Sequence, residues 1–237
     1  MLRGEIAKGL DHDPNFRWRG EAVTRIENLS DIVFALALGM IISAAVIPQS
    51  YDELRGYLVS IIPATAAFAV LIGIWHAHFT FFRRYGVADK KIIFFNAILL
   101  FVVLYLAYPL RFAFESFFAF VLAVGGDMTR IETMRLNFSL SGNILGFFGL
   151  GFMVVHLLYT FMHQHVLSKR KLLDLSDTEV LITKQSIFYH VGVAFLSIVM
   201  GGLAYFTRLN GFAGFILAFT SVVAFLSHKK YPVPKVD

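Results

Sequence analysis

The chain has 237 residues, of which 57% are hydrophobic and only 16% charged. Soluble domains carry roughly 25% charged residues, and a water-soluble chain of this length has no single core large enough to hide so much apolar surface. There is no Cys, which excludes disulfides and thiolate metal sites, and the net charge of +5 is distributed in a way that speaks for membrane topology and lipid contact rather than nucleic acid.

Residues 1–20 are too polar for the apolar core of a cleavable signal peptide and read as a cytoplasmic N-terminal segment. Residues 21–230 read as one transmembrane domain and 231–237 as a cytoplasmic tail. A spanning helix needs about 20 largely apolar residues, and only helices or closed barrels satisfy their backbone in lipid. The apolar runs here are far longer than barrel strands of about ten residues. They predict six spans, near 24–48, 53–82, 91–124, 141–166, 185–207 and 211–227, and an all-α integral membrane bundle.

The charges alternate between the two sides of these spans. Arg3, Lys8, Arg17, Arg19 and Arg25 precede or open the first. Arg83, Arg84, Lys90 and Lys91 lie between the second and third, Lys169, Arg170, Lys171 and Lys184 between the fourth and fifth, and Lys229, Lys230 and Lys235 after the sixth. The other side holds only Arg55, Arg111, Arg130, Arg135 and Arg208. The positive-inside rule then places both termini in the cytoplasm of a multi-pass protein of the cell membrane. Pro109 is expected to kink or end the straight part of span 3, with Arg111 and Glu115 marking the end of its lipid-buried part. The stretch 125–139 reads as an exposed outer connection and Asp174 to Gln185 as a polar cytoplasmic linker.

Ionisable groups inside membrane helices are costly and usually functional. Span 1 opens Arg25-Ile-Glu-Asn-Leu-Ser-Asp31, span 2 ends with Trp75-His-Ala-His78, and span 3 begins with Asn96. All lie at a similar depth on the cytoplasmic side, and their donors and acceptors are complementary. Such a network either ties three helices together or holds a pore helix and responds to protons. Further along span 1, Leu36, Gly39, Met40, Ser43 and Ile47 share one stripe at about 100° per residue, and Asp31 lies about 140° from Leu36. Ala35, Gly39 and Ser43 also form a small-xxx-small pattern, so close helix packing and a pore lining are both open readings of this face.

With these residues in place, the sequence resembles the bacterial relatives of transmembrane protein 175, the lysosomal potassium-channel family. The family's Arg-x-x-x-Phe-Ser-Asp motif stands here as Arg25, Leu29, Ser30 and Asp31, with Leu in place of Phe. Its Trp-x-x-His pair is matched by Trp75 and His78, with Phe82 four residues on, and its early Asn in span 3 by Asn96, ahead of an apolar run ending at Pro109. The resemblance covers roughly residues 20–115. It implies a homotetramer in the bilayer with the first helices around a central pore. Leu36, five positions after the motif Asp, would form the apolar constriction. Gly39 or Met40 and then Ser43 would line the next layers, while Arg25, Ser30, Asp31, Trp75, His78 and Asn96 would form a structural polar network. The chain lacks a Thr-Val-Gly-Tyr-Gly filter, as that family does. The implied activity is passive potassium permeation, with no enzymatic step, no cofactor and no metal beyond the permeant potassium ion.

Two other functions compete. One is a proton-leak channel of the same fold. The other is a haem-binding membrane redox protein using ligands among His76, His78, His156, His163, His165 and His190. Hydrolase motifs of the Gly-x-Ser-x-Gly and His-Glu-x-x-His types are absent, and the broken helices and internal symmetry of secondary transporters are not evident. His163-Gln-His165 reads as an interfacial pair whose rings point in different directions, and Asp11-His-Asp13 as a solvated turn.

Overall fold

The structure, a computed structural model, describes residues 15–20, 22–43, 47–207 and 210–234. Arg3, Lys8, the Asp11–Asp13 turn, Arg208 and Lys235 lie outside the described residues. Among the described residues all regular structure is helical. In chain order the helices are α1 (Arg25–Ser43), α2 (Tyr51–Val59), α3 (Ile61–Tyr85), α4 (Lys90–Val124), α5 (Thr129–Thr133), α6 (Phe138–Ser168) and α7 (Asp177–Phe206). A 3-10 segment (Asn210–Phe219) then leads into α8 (Thr220–Lys230). Six stretches are long and apolar enough to cross a membrane: α1, α2 with α3, α4, α6, α7, and the final segment with α8.

Two stretches differ from the expectations, each for a local reason. Span 2 is broken at Ser60, which closes α2 with its amide bonded to the Gly56 carbonyl, and α3 restarts with Pro63 in its first turn, where a missing N–H costs nothing. The third span is one helix through Pro109, and α4 ends at Val124, where the apolar run ends. At 1.5 Å per residue this 35-residue helix is about 52 Å long, well beyond a hydrocarbon core of about 30 Å. The stretch from Asp174 to Gln185 is not all linker: α7 starts at Asp177. Ser176 accepts from the Glu179 amide while the Glu179 carboxylate accepts from the Ser176 amide, and this capping box satisfies two orphan donors. The outer connection at 125–139 likewise carries the short helix α5.

Helices α6 and α7 pack along their length, α6 also meets α4, and α1 lies against both α3 and α4. The core runs from Phe16 through Phe34, Leu71, Phe81, Leu99 and Val103 to Tyr159 and Met162. Gly149 lets α6 and α7 approach closely, since a Cβ there would stand 2.8 Å from the Ser197 carbonyl oxygen and 3.2 Å from the Gly201 Cα. Small residues are what allow backbone contact between helices in lipid.

At the end of the bundle rich in Lys and Arg, the chain is tied across itself. Asp89 caps α4 through the amides of Lys91 and Ile92. Its other oxygen accepts from His165 at 2.7 Å and Lys169 at 2.5 Å, which joins α4 to the end of α6. Burial alone would raise the Asp89 carboxyl, but the bonds from His165, Lys169 and the Ile92 amide outweigh it and hold Asp89 below the usual carboxylate range. Residues 15–20 are strapped down as well. The amides of Arg19 and Gly20 donate to the Arg83 carbonyl at 3.1 Å, and Phe16 is buried edge-on against Tyr85. Arg19 pairs with Glu179 at 2.8 Å and donates to the Leu173 and Asp174 carbonyls.

Replacing Gly149 with Val should wedge α6 from α7. Overpacking of this kind costs about 1–3 kcal/mol. The purified variant is expected to melt at lower temperature than the parent, and an unchanged melting curve would show that the two helices do not touch at this point.

Candidate functional site

Beyond Asp31 helix α1 is apolar on all sides but packs on one only. Its buried residues are Ser30, Phe34, Ala37 and Ile41, spaced i, i+4, i+7 and i+11 on a single stripe. Among the described residues the opposite face is left largely uncovered. Ile32 is 67% exposed and Leu36 56%. From the centre of the buried stripe, Gly39 is rotated about 170°, Ser43 about 150°, Leu36 about 130° and Met40 only about 90°. Among the described residues no atom of another helix lies within 4 Å of where a Gly39 Cβ would stand, and the Ser43 hydroxyl donates back to the Gly39 carbonyl. Met40 is half-buried and packs against the core. The free face is therefore Ile32, Leu36, Gly39 and Ser43, with Met40 on its flank. Ile32, four residues before Leu36, was available by the same rotation and was not picked out from the sequence.

The polar residues form two arrangements that share the join between α1 and α3. The buried one is a chain of three side chains on three helices. Asn96 of α4 donates through Nδ2 to the Ser30 hydroxyl of α1 at 3.0 Å, and its Oδ1 lies 2.8 Å from Nε2 of His78 on α3. The Ser30 hydroxyl in turn donates to the Ile26 carbonyl at 2.7 Å. Since Asn96 Oδ1 can only accept, His78 carries its proton on Nε2 in this contact. Phe34 and Phe82 flank the imidazole at ring-centroid distances of 5.5 and 4.7 Å, so apolar rings enclose this polar chain. The second arrangement lies beside it, one residue on from Ser30 and one turn before His78: the half-buried Trp75 indole donates to the exposed Asp31 carboxylate at 2.9 Å. Arg25 is exposed and takes no part in either set. The six residues named from the sequence thus divide into Ser30, His78 and Asn96 together, Asp31 and Trp75 together, and Arg25 apart.

Of the histidines considered as haem ligands, all but the exposed His76, which stacks on Phe79, place ring nitrogens on protein partners. His156 and His190 meet through their Nδ1 atoms at 2.9 Å, His163 Nδ1 lies 2.8 Å from the Tyr159 carbonyl, and His165 bonds Asp89. His163 and His165 indeed point to different neighbours. Among the described residues no group of three or more His, Cys, Asp or Glu is arranged to hold a metal ion.

An all-α bundle of six membrane helices, with one helix pinned by buried polar bonds on one side and bare on the other, defines a class: the multi-pass membrane proteins. Comparison with known proteins sharpens this. Residues 25–106 match the family model of the endosomal/lysosomal potassium channel TMEM175. A protein of Marivirga tractuosa described as a potassium channel is 35% identical over 204 residues, covering 83% of this chain and 81% of that one. A crystal structure of a variant of the potassium channel MtTMEM175 superposes with a TM-score of 0.77 at 28% identity, covering 92% of this chain and 97% of that one. The lysosomal potassium-selective TMEM175 homologue of Chamaesiphon minutus, at 20% identity, shares the fold with a TM-score of 0.55 over 86% of this chain and 96% of its own. The chain belongs to the TMEM175 potassium-channel family.

The geometry separates the roles of the two polar sets. Asn96→Ala should leave the Ser30 hydroxyl and His78 short of a buried partner, at a cost of about 1–3 kcal/mol. It should lower the melting temperature of the protein. Asp31→Ala removes an exposed acceptor and should leave melting nearly unchanged, its loss read instead as a change in Trp75 fluorescence. If Asp31→Ala proves the more thermally destabilised of the two, the division into a buried anchor and an exposed contact is wrong.

Proposed function

We propose that four copies of this chain assemble with the free faces of their α1 helices turned to a common axis, forming a passive path for potassium. The protein is a potassium-permeable channel and not an enzyme. The observation that carries the pore assignment is the bare apolar face of α1, set opposite the stripe that Ser30, Phe34, Ala37 and Ile41 bury. A helix packed on one side only is available to line an axis. On that face Leu36 and Ile32 are the large side chains, one on either side of the middle of the helix, and four copies of Leu36 would make an apolar ring that gates by dewetting. Gly39 and Ser43 would line the wider layers beyond it, and Ile32 the layer before. The end carrying Arg83, Arg84, Lys169 and Lys171 would face the cytoplasm of the cell by the positive-inside rule. The potassium assignment is supported by the relatives described as potassium channels.

The test is ionic current through the purified protein in liposomes. Reversal potentials in a potassium gradient should follow potassium, and those in a proton gradient should not. A current that follows the proton gradient instead would make this a proton-leak channel. Leu36→Ala should raise flux and lower the potassium-to-sodium permeability ratio. Because Leu36 is exposed within the protomer, this change should also avoid the 2–5 kcal/mol that truncating a buried Leu costs, roughly speaking. Parent-like currents from a folded Leu36→Ala channel would remove Leu36 from the pore.

A further inference from the structure

Beyond Pro109, at the end of the bundle away from the Lys-rich loops, a second polar cluster touches α1. Glu115 of α4 accepts from two arginines. Arg111, one turn earlier, donates through Nε and Nη2 at 3.2 and 3.0 Å. Arg130 of α5 donates through Nη1 at 3.0 Å to the other carboxylate oxygen. Each arginine has a further N–H, and each spends it on a helix C-terminus. Arg111 Nη1 donates to the Ile41 carbonyl of α1, and Arg130 Nη2 donates to the Gly56 carbonyl of α2 at 3.0 Å. Ile41 is among the last four residues of α1, whose carbonyls lack intrahelical partners and whose dipole favours a cation. Gly56 is likewise in the last turn of α2, but its carbonyl already accepts from the Ser60 amide and takes Arg130 through its second lone pair.

Arg111 is buried, with a side chain only 9% exposed, inside a helix that crosses the membrane. Burying a guanidinium is expensive even when it is paired, and an apolar residue would close the same packing at lower cost. The position of the contact along α1 gives the reason. The helix is bonded to its protomer at Ser30 by Asn96 and at Ile41 by Arg111. Leu36 lies nearly midway, about 9 Å from the first bond and about 7.5 Å from the second at 1.5 Å per residue. A helix held at both points cannot pivot. Freed at Ile41, it would swing about Ser30 and carry Leu36 through roughly half of any displacement at its end.

We propose that Arg111, Glu115 and Arg130 form a clamp that fixes the distal end of α1 and so sets the diameter of the ring at Leu36. Arg111 is the positioning residue, Glu115 orients it, and Arg130 ties the pair to α2. The inference rests on the pore reading above, and the two can fail separately.

Arg111→Gln, reconstituted as the full-length chain, should remain assembled on size exclusion while its potassium-to-sodium permeability ratio falls about threefold or more, the low end of what coupling through a packed network delivers. Arg111→Lys should recover part of the ratio, since an ammonium can cap Ile41 but cannot also fork onto Glu115. An assembled Arg111→Gln channel with the parent's ratio overturns the clamp. If Arg111→Gln does not fold, Glu115→Gln decides the matter: it keeps both arginine stems, and a parental ratio in that variant overturns the proposal just as well. Leu36→Ala is run alongside. If it changes the ratio while the Arg111 and Glu115 variants do not, the clamp alone fails. If it changes nothing, the pore reading fails.

Discussion

The buried bonds from Ser30 to Asn96 and from Asn96 to His78 are the constraint on which the rest depends. In lipid there is no hydrophobic force between helices, so an apolar helix has no preferred side. Helix α1 is apolar around its whole circumference beyond Asp31, and periodicity alone leaves its orientation open. Three polar side chains on three helices remove that freedom. Once the Ser30 side is turned inward, Phe34, Ala37 and Ile41 follow at helical spacing, and Ile32, Leu36, Gly39 and Ser43 are turned outward.

One anchor would still leave a helix of 19 residues free to swing. The structure supplies ties at both ends. On the basic side, residues 15–20 lead into α1 while bonded to Arg83 at the end of α3 and to Glu179 at the start of α7. The strap leaves no room for a larger residue, since a Cβ on Gly20 would fall 2.4 Å from the Phe82 carbonyl oxygen. On the other side Arg111 holds the Ile41 carbonyl. The Ser30 anchor and the Arg111 contact hold α1 at two heights along its axis, and the basic-side strap fixes the chain that leads into it.

What could be read from the sequence was what stands out against apolar surroundings. Asp31, His78 and Asn96 were conspicuous because lipid-buried runs exclude such residues, and the span count followed from run length. The pairing within the network was less legible: Ser30 and Asp31 are adjacent, and only the packed helices show that Asn96 bonds the first while Trp75 bonds the second. The start of α7 was legible but overlooked, because Ser176-Asp-Thr-Glu179 carries the spacing of a capping box inside a stretch whose polarity suggested a linker. The strap and the clamp were hidden for a different reason. Each joins residues far apart in the chain, Arg19 to Glu179 and Arg111 to Ile41, and one partner in several of the bonds is a backbone carbonyl that no side-chain pattern announces.

The chemistry of the free face explains why so much structure is spent on holding one helix still. No charged side chain lies on it between Ile32 and Ser43, and the Ser43 hydroxyl is already committed to the Gly39 carbonyl. Nor does the chain contain the carbonyl-lined loop that replaces an ion's water in other potassium channels. A pore of this surface would have few ligands to offer a dehydrating ion, so discrimination between ions would fall to the width of the apolar ring. Width is a property of helix position. A filter built from ligands tolerates small movements of its scaffold, because the ligands can follow the ion. An apolar ring has no such adjustment, and its selectivity can be no sharper than the precision with which α1 is held.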